Sequence, residues 1–170
     1  MGKEVKTNAM RILESNNILY KELVLDIDEA LDGVTCANML GLDIDSTFKT
    51  LVTVGKSGNY YVFVVPVAKK LSLKKAALSV NEKNVEMIPM KELLPLTGYI
   101  RGGCSPIGMK KAFPTYFHQS ALNFDEIFVS AGVRGLQLKI SPQDLIKYVR
   151  ATITDLIQSK ETDENDEHDW

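Results

Sequence analysis

The most distinctive chemistry in this sequence lies in a glycine-rich stretch, TGYIRGGCSPIG, at residues 97–108. Four glycines and a proline in twelve residues exclude regular secondary structure and predict a shaped loop. Successive backbone N–H groups in such a loop can hold an anion, or the oxyanion that forms when an ester carbonyl is attacked. A tight turn with a purely structural role is the alternative for the loop taken alone.

Two side chains could add chemistry to this loop. Lys49 lies inside an apolar, β-branched segment, FKTLVTV, and lysine is depleted in strands. It is therefore either a solvent-facing position or a cation fixed on a rigid element, facing a phosphate or a carbonyl. Cys104 lies in the loop itself, where a nearby cation such as Arg101 could activate the thiol as a nucleophile. We favour the interpretation that Cys104 is a small packing residue.

The common catalytic and cofactor motifs are absent from the sequence. It contains no Walker A lysine after spaced glycines, no HExxH and no paired CxxC. His118 and His168 are the two histidines, and His168 lies in a run of acids. We interpret His118 as a structural histidine rather than a catalytic base. The sequence therefore predicts no metal site and no cofactor.

Periodicity predicts the elements that would position these groups. The clearest is a hairpin, in which the strands 48–54 and 60–65 flank a glycine-containing turn and Pro66 closes the second strand. Other extended segments are predicted at 18–25, 115–118, 127–131 and 136–140. Short helices are predicted at 7–16 after an N-cap at Thr7, at 33–40 before Gly41, at 71–78, and at 90–94 with Pro89 in the first turn.

A last helix is predicted from Ser141 to about Gln158. Ser141 is a typical N-cap, and Pro142 suits the first helical position. The apolar residues continue at helical spacing, as Leu145, Tyr148, Val149, Ile153, Leu156 and Ile157. Strands and helices mix without a regular βαβ rhythm, which predicts an α+β fold around a mixed sheet.

Composition predicts one domain at 1–160 and an acidic, disordered tail at 161–170. The 170 residues are 45% hydrophobic and 25% charged, as in a folded globular protein. The tail carries six acids and no Lys or Arg, so the body alone has a formal charge of +4. With two cysteines, no apolar run of membrane-spanning length and a polar start, we expect a reduced protein of the cytoplasm.

Six short motifs, in one order, resemble the YbaK/EbsC family of free-standing aminoacyl-tRNA deacylases. This family is akin to the editing domain inserted in bacterial prolyl-tRNA synthetases, and the resemblance covers residues 5–157. The motifs are KTNA at 6–9, FKTLV at 48–52, KKA at 74–76, TGY at 97–99, GGCSPIG at 102–108 and VSAG at 129–132.

The resemblance implies a mixed β-sheet forming a partly open barrel with flanking helices. It also implies hydrolysis of the ester that links a wrong amino acid to tRNA, typically cysteine on proline tRNA. The lysine important in the family corresponds to Lys49. The loop that contacts the substrate corresponds to the segment from Gly102 and Gly103 to Ser105 and Pro106. The family's serine and tyrosine correspond to Ser130 and Tyr20.

Together these observations predict a deacylase in which loop N–H groups near Gly102 and Gly103 polarise the ester carbonyl. Lys49 would hold the tRNA terminus, and water or the substrate's own thiol would attack. The expected partners are aminoacylated tRNA and prolyl-tRNA synthetase, with neither DNA nor a membrane. Three alternatives stay open: a non-catalytic tRNA-binding or synthetase-associated module, a deacylase for another small amino acid such as alanine, and a hydrolase that uses Cys104.

Overall fold

The structure, a computed structural model, describes residues 6–25 and 32–159. The acidic tail predicted at 161–170 lies outside the described residues. The described helices are α1 Asn8–Ser15, α2 Gly33–Leu40, α3 Leu73–Ser79, α4 Met90–Thr97 and α5 Pro142–Val149. The strands are β1 Tyr20–Val24, β2 Phe48–Gly55, β3 Tyr60–Pro66, β4 Val85–Met87, β5 Thr115–His118, β6 Ile127–Ser130, β7 Leu136–Ile140 and β8 Thr152–Thr154. None of these helices is long and apolar enough to cross a bilayer.

The strands form two sheets. Strands β1, β7 and β6 form an antiparallel sheet in that order, and the larger sheet has the order β4-β2-β3-β5-β8. The larger sheet is mixed, because β2 is antiparallel to β3 and β4 whereas β3–β5 and β5–β8 are parallel. A bridge from Thr47 to Phe128 joins the sheets without closing them. The predicted α+β fold with a partly open barrel is therefore confirmed.

Two apolar clusters hold the layers together, and β2 contributes to both. Phe48 and Val52 of β2 belong to the larger cluster, together with Val129 and Leu138 of the other sheet. Leu51 points the other way into a cluster that includes residues of α3. Alternate residues of a strand face opposite sides of the sheet. Strand β2 is therefore buried on both faces, which gives a rigid base for any side chain that it carries.

The sequence signals for helix ends are confirmed where they were specific. The Thr7 side chain accepts a hydrogen bond from the Met10 N–H (3.2 Å), and Ser141 accepts one from the Asp144 N–H (3.3 Å). Gly41 ends α2 in the left-handed conformation (φ 70°). These residues satisfy backbone groups that a helix end leaves unpaired. Pro89 is displaced by one position, because it precedes α4 as the N-cap residue.

The prediction that the last helix reaches Gln158 is wrong. Helix α5 ends at Val149, and Arg150 takes the left-handed conformation (φ 57°). The chain then forms β8, which pairs in parallel with β5. Leu156 is nonetheless fully buried. The apolar spacing therefore predicted burial correctly, but sheet pairing decided the backbone conformation.

Strand β4 was not predicted from the sequence, and its position matters for the site. It pairs with β2 at Thr53–Gly55, and the next residue, Ile88, donates its N–H to the Val52 carbonyl (3.2 Å), so β4 leaves the edge of β2 uncovered at residues 48–51. A cavity lies along this part of β2.

Candidate functional site

A cavity of about 100 Å³ collects residues from at least six separate segments of the chain. Lys49 comes from β2, Gly102 and Cys104 from the glycine-rich loop, Ser130 from β6 and Cys36 from α2. A cavity of this size has room for several water-sized groups. It is therefore large enough for a small aminoacyl group.

Lys49 is half-buried on a strand that is anchored from both faces. Opposite it in register is Val65 of β3. Asp32 also lines the cavity. It is the N-cap residue of α2, and its side chain accepts a hydrogen bond from the Thr35 N–H (2.7 Å). Hydrogen bonding from Thr35, with a smaller contribution from the charge of Lys49, lowers the pKa of Asp32. The wall of the cavity therefore combines a fixed cation with an ionised carboxylate.

The glycine-rich loop begins where α4 ends, and an internal hydrogen-bond network shapes it. The Tyr99 hydroxyl donates to the Ile107 carbonyl across the loop. The Tyr99 N–H donates to the Thr97 hydroxyl (3.0 Å), which itself donates to the Leu93 carbonyl (2.7 Å). The loop is thus fixed to α4 rather than free, as a site with preorganised donors requires.

Gly102 and Gly103 play different parts in this loop. Gly102 lines the cavity, has φ 86°, and its N–H makes no hydrogen bond within the described ranges. The Gly103 N–H donates to the Ile100 carbonyl (2.9 Å), so the predicted role of that amide as an oxyanion donor does not agree with this structure. A Cβ on Gly103 would lie 3.1 Å from backbone atoms of Val133. Gly103 therefore allows close packing against a neighbouring turn.

That neighbouring turn connects β6 to β7 and braces the loop. The Arg134 Nε donates to the Arg101 carbonyl (2.9 Å). Ser130 and Gln137 lie opposite each other on β6 and β7, so their side chains share one face of the sheet, and both line the cavity. The Ser130 hydroxyl accepts a hydrogen bond from the Gly132 N–H (3.1 Å).

Four of the predicted site residues do not line the cavity, and Gly103 is one of them. Ser105 is fully buried and accepts a hydrogen bond from the Ile107 N–H (3.3 Å), and the adjacent Pro106 is also buried, so both lie inside the loop. Tyr20 donates to Glu14 and lines a different, more open groove with Lys6. The structure thus brings together Lys49, Gly102 and Ser130 but not Tyr20.

Neither cysteine is activated. Burial raises the pKa of Cys104 to about 12. Burial, with a contribution from Asp32, also raises the pKa of Cys36. Both side chains are therefore thiols at neutral pH, and a thiol is a much weaker nucleophile than a thiolate. This supports the packing interpretation of Cys104.

His118 is a buried structural residue outside the cavity. Its Nδ1 accepts a hydrogen bond from the Leu156 N–H (3.1 Å), and burial lowers its pKa. The described ranges contain no cluster of three or more side chains suited to a metal ion.

The sequence analysis missed Asp32 and Thr50 as cavity residues. Asp32 could have been found, because an acid directly before the helix at 33–40 is a typical N-cap. Thr50 carries a weaker signal, a single hydroxyl on the face of β2 that otherwise presents Phe48 and Val52. Only the position of the second sheet shows that this hydroxyl lies beside the cavity.

Comparison with known proteins identifies the family of this chain. The model of the aminoacyl-tRNA editing domain matches residues 29–148. The proposed Cys-tRNA(Pro)/Cys-tRNA(Cys) deacylase EbsC of Enterococcus faecalis (strain ATCC 700802 / V583) is 43% identical over 152 residues, 89% of this chain and 93% of that protein. The chain belongs to the aminoacyl-tRNA editing domain family.

Two solved structures show the same fold. A proposed trans-editing enzyme for prolyl-tRNA synthetase aligns with a TM-score of 0.77 and 25% identity, over 92% of this chain and all of that one. A hypothetical protein aligns with a TM-score of 0.79 and 21% identity, over 87% of this chain and 97% of that one. At this low sequence identity, the second likeness is evidence for a shared fold and for nothing further.

Proposed function

We propose that this protein hydrolyses the ester bond of misacylated tRNA, with Cys-tRNA(Pro) as its principal substrate. One observation carries the proposal: Lys49, Gly102 and Ser130, which come from separate segments, line one small cavity in a chain of the aminoacyl-tRNA editing domain family. The similarity to EbsC supports the choice of cysteine.

In the proposed mechanism the aminoacyl group enters the cavity and the tRNA terminus lies at its mouth. The Gly102 N–H polarises the ester carbonyl and stabilises the oxyanion that forms on attack. Lys49 binds the terminal phosphate or ribose and fixes the ester against the loop. The nucleophile is water, which gives the free amino acid, or the substrate's own thiol, which is already held close to the carbonyl and gives a cyclic thioester that water then opens. Proximity of this kind is worth about 7–11 kcal/mol in favourable cases. In both cases the ester bond breaks and the tRNA leaves with its terminal hydroxyl restored.

The need for a second site follows from the size of the competing amino acids. Small side chains differ by only about 1–3 kcal/mol of binding in one pocket, so a synthetase cannot reject them all at the first step. We therefore place this protein in the cytoplasm, acting in trans on tRNA that prolyl-tRNA synthetase has charged. The similarity to the proposed trans-editing enzyme supports action in trans, because the alignment covers the whole of that protein.

A deacylation panel tests the proposal. Proline tRNA charged separately with Cys, Ala, Ser and Pro is incubated with the protein, with and without prolyl-tRNA synthetase. We expect Cys-tRNA(Pro) to lose its amino acid fastest and Pro-tRNA(Pro) to be spared. If alanine is released faster than cysteine, the protein is a deacylase specific for alanine instead. No turnover with any substrate would indicate a binding module and contradict the proposal.

A further inference from the structure

Two residues that line the cavity each carry a side-chain oxygen that lacks a hydrogen-bond partner within the described ranges. These oxygens are Oγ1 of Thr50 and Oε1 of Gln137, and both are shielded from solvent. Buried polar atoms are almost always paired, because an unpaired one loses its hydration without compensation. Two unpaired oxygens beside one cavity indicate that this site is completed by a ligand.

These oxygens reach the cavity by independent routes. Thr50 lies on β2, opposite Val64 of β3, and is 5% exposed. Gln137 lies on β7 in the other sheet, opposite Ser130. A third unpaired oxygen, Oγ of Ser120, belongs to the 3-10 turn Gln119–Asn123 and does not line the cavity. Ser120 therefore provides a matched control for the other two.

The chemistry of the two oxygens restricts the ligand group that they can bind. The amide oxygen of Gln137 only accepts hydrogen bonds, and a threonine hydroxyl can also accept. An aminoacyl ester has one group near its carbonyl that only donates, the α-ammonium. Lys49 and Arg101, which also line the cavity, are cations and suit the phosphate side of the substrate. The Asp32 carboxylate already accepts a hydrogen bond from the Thr35 N–H, whereas the Thr50 and Gln137 oxygens have no partner within the described ranges.

We propose that Thr50 and Gln137 bind the α-ammonium group of the aminoacyl ester and so orient its carbonyl toward Gly102. This inference rests on the proposed deacylase function. Each oxygen is covered in this structure, so each side chain turns about its terminal torsion when substrate enters. The last torsion of glutamine is broad and soft, and threonine exchanges between staggered rotamers.

The proposal has a consequence for substrate range. A tRNA whose amino acid carries an N-acyl group, such as a peptidyl-tRNA, has neither the charge nor the three donors of a free ammonium. The N-acylated substrate would leave the Thr50 and Gln137 oxygens poorly paired, and its acyl group would clash with these two side chains. The enzyme would then remove free amino acids from tRNA and spare N-blocked ones.

Thr50→Val and Gln137→Leu test the proposal, because each removes the oxygen and largely keeps the volume. With the free-amine substrate we expect kcat/KM to fall about 10- to 100-fold for each variant, the usual range for a lost hydrogen bond to a charged group. The melting temperature should not fall, because an unpaired buried oxygen has been removed. Ser120→Ala should leave kcat/KM unchanged.

Modified substrates identify the group that is bound. The N-acetylated aminoacyl-tRNA should be a poor substrate for the wild type, and the two variants should be no slower on it. Equal losses on the free-amine and N-acetylated substrates would overturn the assignment. A second result would also overturn the assignment. If the variants match the wild type only on tRNA whose terminal adenosine lacks its 2′-hydroxyl, the two oxygens bind the ribose and not the ammonium.

A binding measurement separates failure of this inference from failure of the proposed function. The probe is adenosine whose cysteinyl group is attached through a 3′-amide, which is not hydrolysed, and calorimetry measures its affinity. We expect weaker binding to both variants and unchanged binding to Ser120→Ala. If the wild type hydrolyses aminoacyl-tRNA but all three variants match it, the deacylase function stands and the ammonium proposal is overturned. If nothing is hydrolysed, unchanged affinity in Thr50→Val and Gln137→Leu still overturns the proposal.

Discussion

At the residue scale, Lys49 is the cavity side chain with the largest expected effect on activity. Replacing it with alanine removes a charge-assisted hydrogen bond from a half-buried site. We expect a loss of about 2–4 kcal/mol of transition-state stabilisation, comparable to the loss of an oxyanion donor. Single-turnover deacylation should then slow by roughly 30- to 1,000-fold. Lys49→Arg should restore only part of the rate, because the planar guanidinium group places its N–H donors differently from the lysine ammonium.

Cys104→Ala provides the contrast at the same loop. Its thiol is neutral at physiological pH because burial raises its pKa to about 12, so alanine should leave turnover close to normal. The cost should appear as a lower melting temperature, since a buried side chain is shortened. A folded Lys49→Ala with near-normal turnover, beside an inactive Cys104→Ala, would exclude the present assignment and favour thiol chemistry.

At the element scale, the glycine-rich loop should depend on the backbone conformation of Gly102. A left-handed residue with a Cβ costs about 1–2 kcal/mol, so Gly102→Ala (φ 86°) should destabilise the fold modestly. Gly58→Ala is the matched control, because Gly58 (φ 93°) lies in the hairpin turn, where an added Cβ would meet no described atom within 4 Å. Both variants should lower the melting temperature similarly. Only Gly102→Ala should lower kcat/KM, and equal kinetics in the two would remove Gly102 from the site.

The attachment of the C-terminal segment to β5 should make stability depend on pH. Burial lowers the pKa of His118, so the unfolded chain binds a proton more readily than the folded chain. Stability is therefore complete above the ordinary histidine value of 6.5, and is lost as pH falls from there through the lowered pKa of the folded state. Thermal melts between pH 7 and pH 5 should show this loss.

His118→Asn is the control for that measurement. Its side-chain oxygen can accept the Leu156 N–H in place of Nδ1, and it does not titrate. The variant should lose less stability than the wild type over the same pH interval. Parallel pH profiles for the two proteins would show that other groups cause the loss. His118→Leu should cost about 1–3 kcal/mol at all pH values, because it leaves the Leu156 N–H buried and unpaired.

The elements that the sequence predicted well are those whose signals are local. The hairpin of β2 and β3 and the capped starts of α1 and α5 depend on neighbouring residues, and the structure confirms them. Strand β8 depends on pairing with β5, which no local pattern encodes. The same distinction applies to the site. Lys49 is visible as a lysine in an apolar strand, whereas Thr50 and Gln137 come together only through the packing of two sheets.

At the scale of the whole molecule, charge is distributed unevenly along the sequence. The six acids at 161–170 turn a body of formal charge +4 into a chain of −2. Removing 161–170 should tighten tRNA binding at low salt, because the acids compete with phosphates for the basic body. The affinities of the truncated and full chains should converge at high salt, since the screening length is already about 8–10 Å near physiological ionic strength. Filter binding over a salt series measures this, with thermal melts alongside.

A matched chain in which the six acids are replaced by their amides should behave like the truncation, because the effect is one of charge and not of length. Weaker tRNA binding after truncation, or a much lower melting temperature, would show that 161–170 supports the fold or the complex instead.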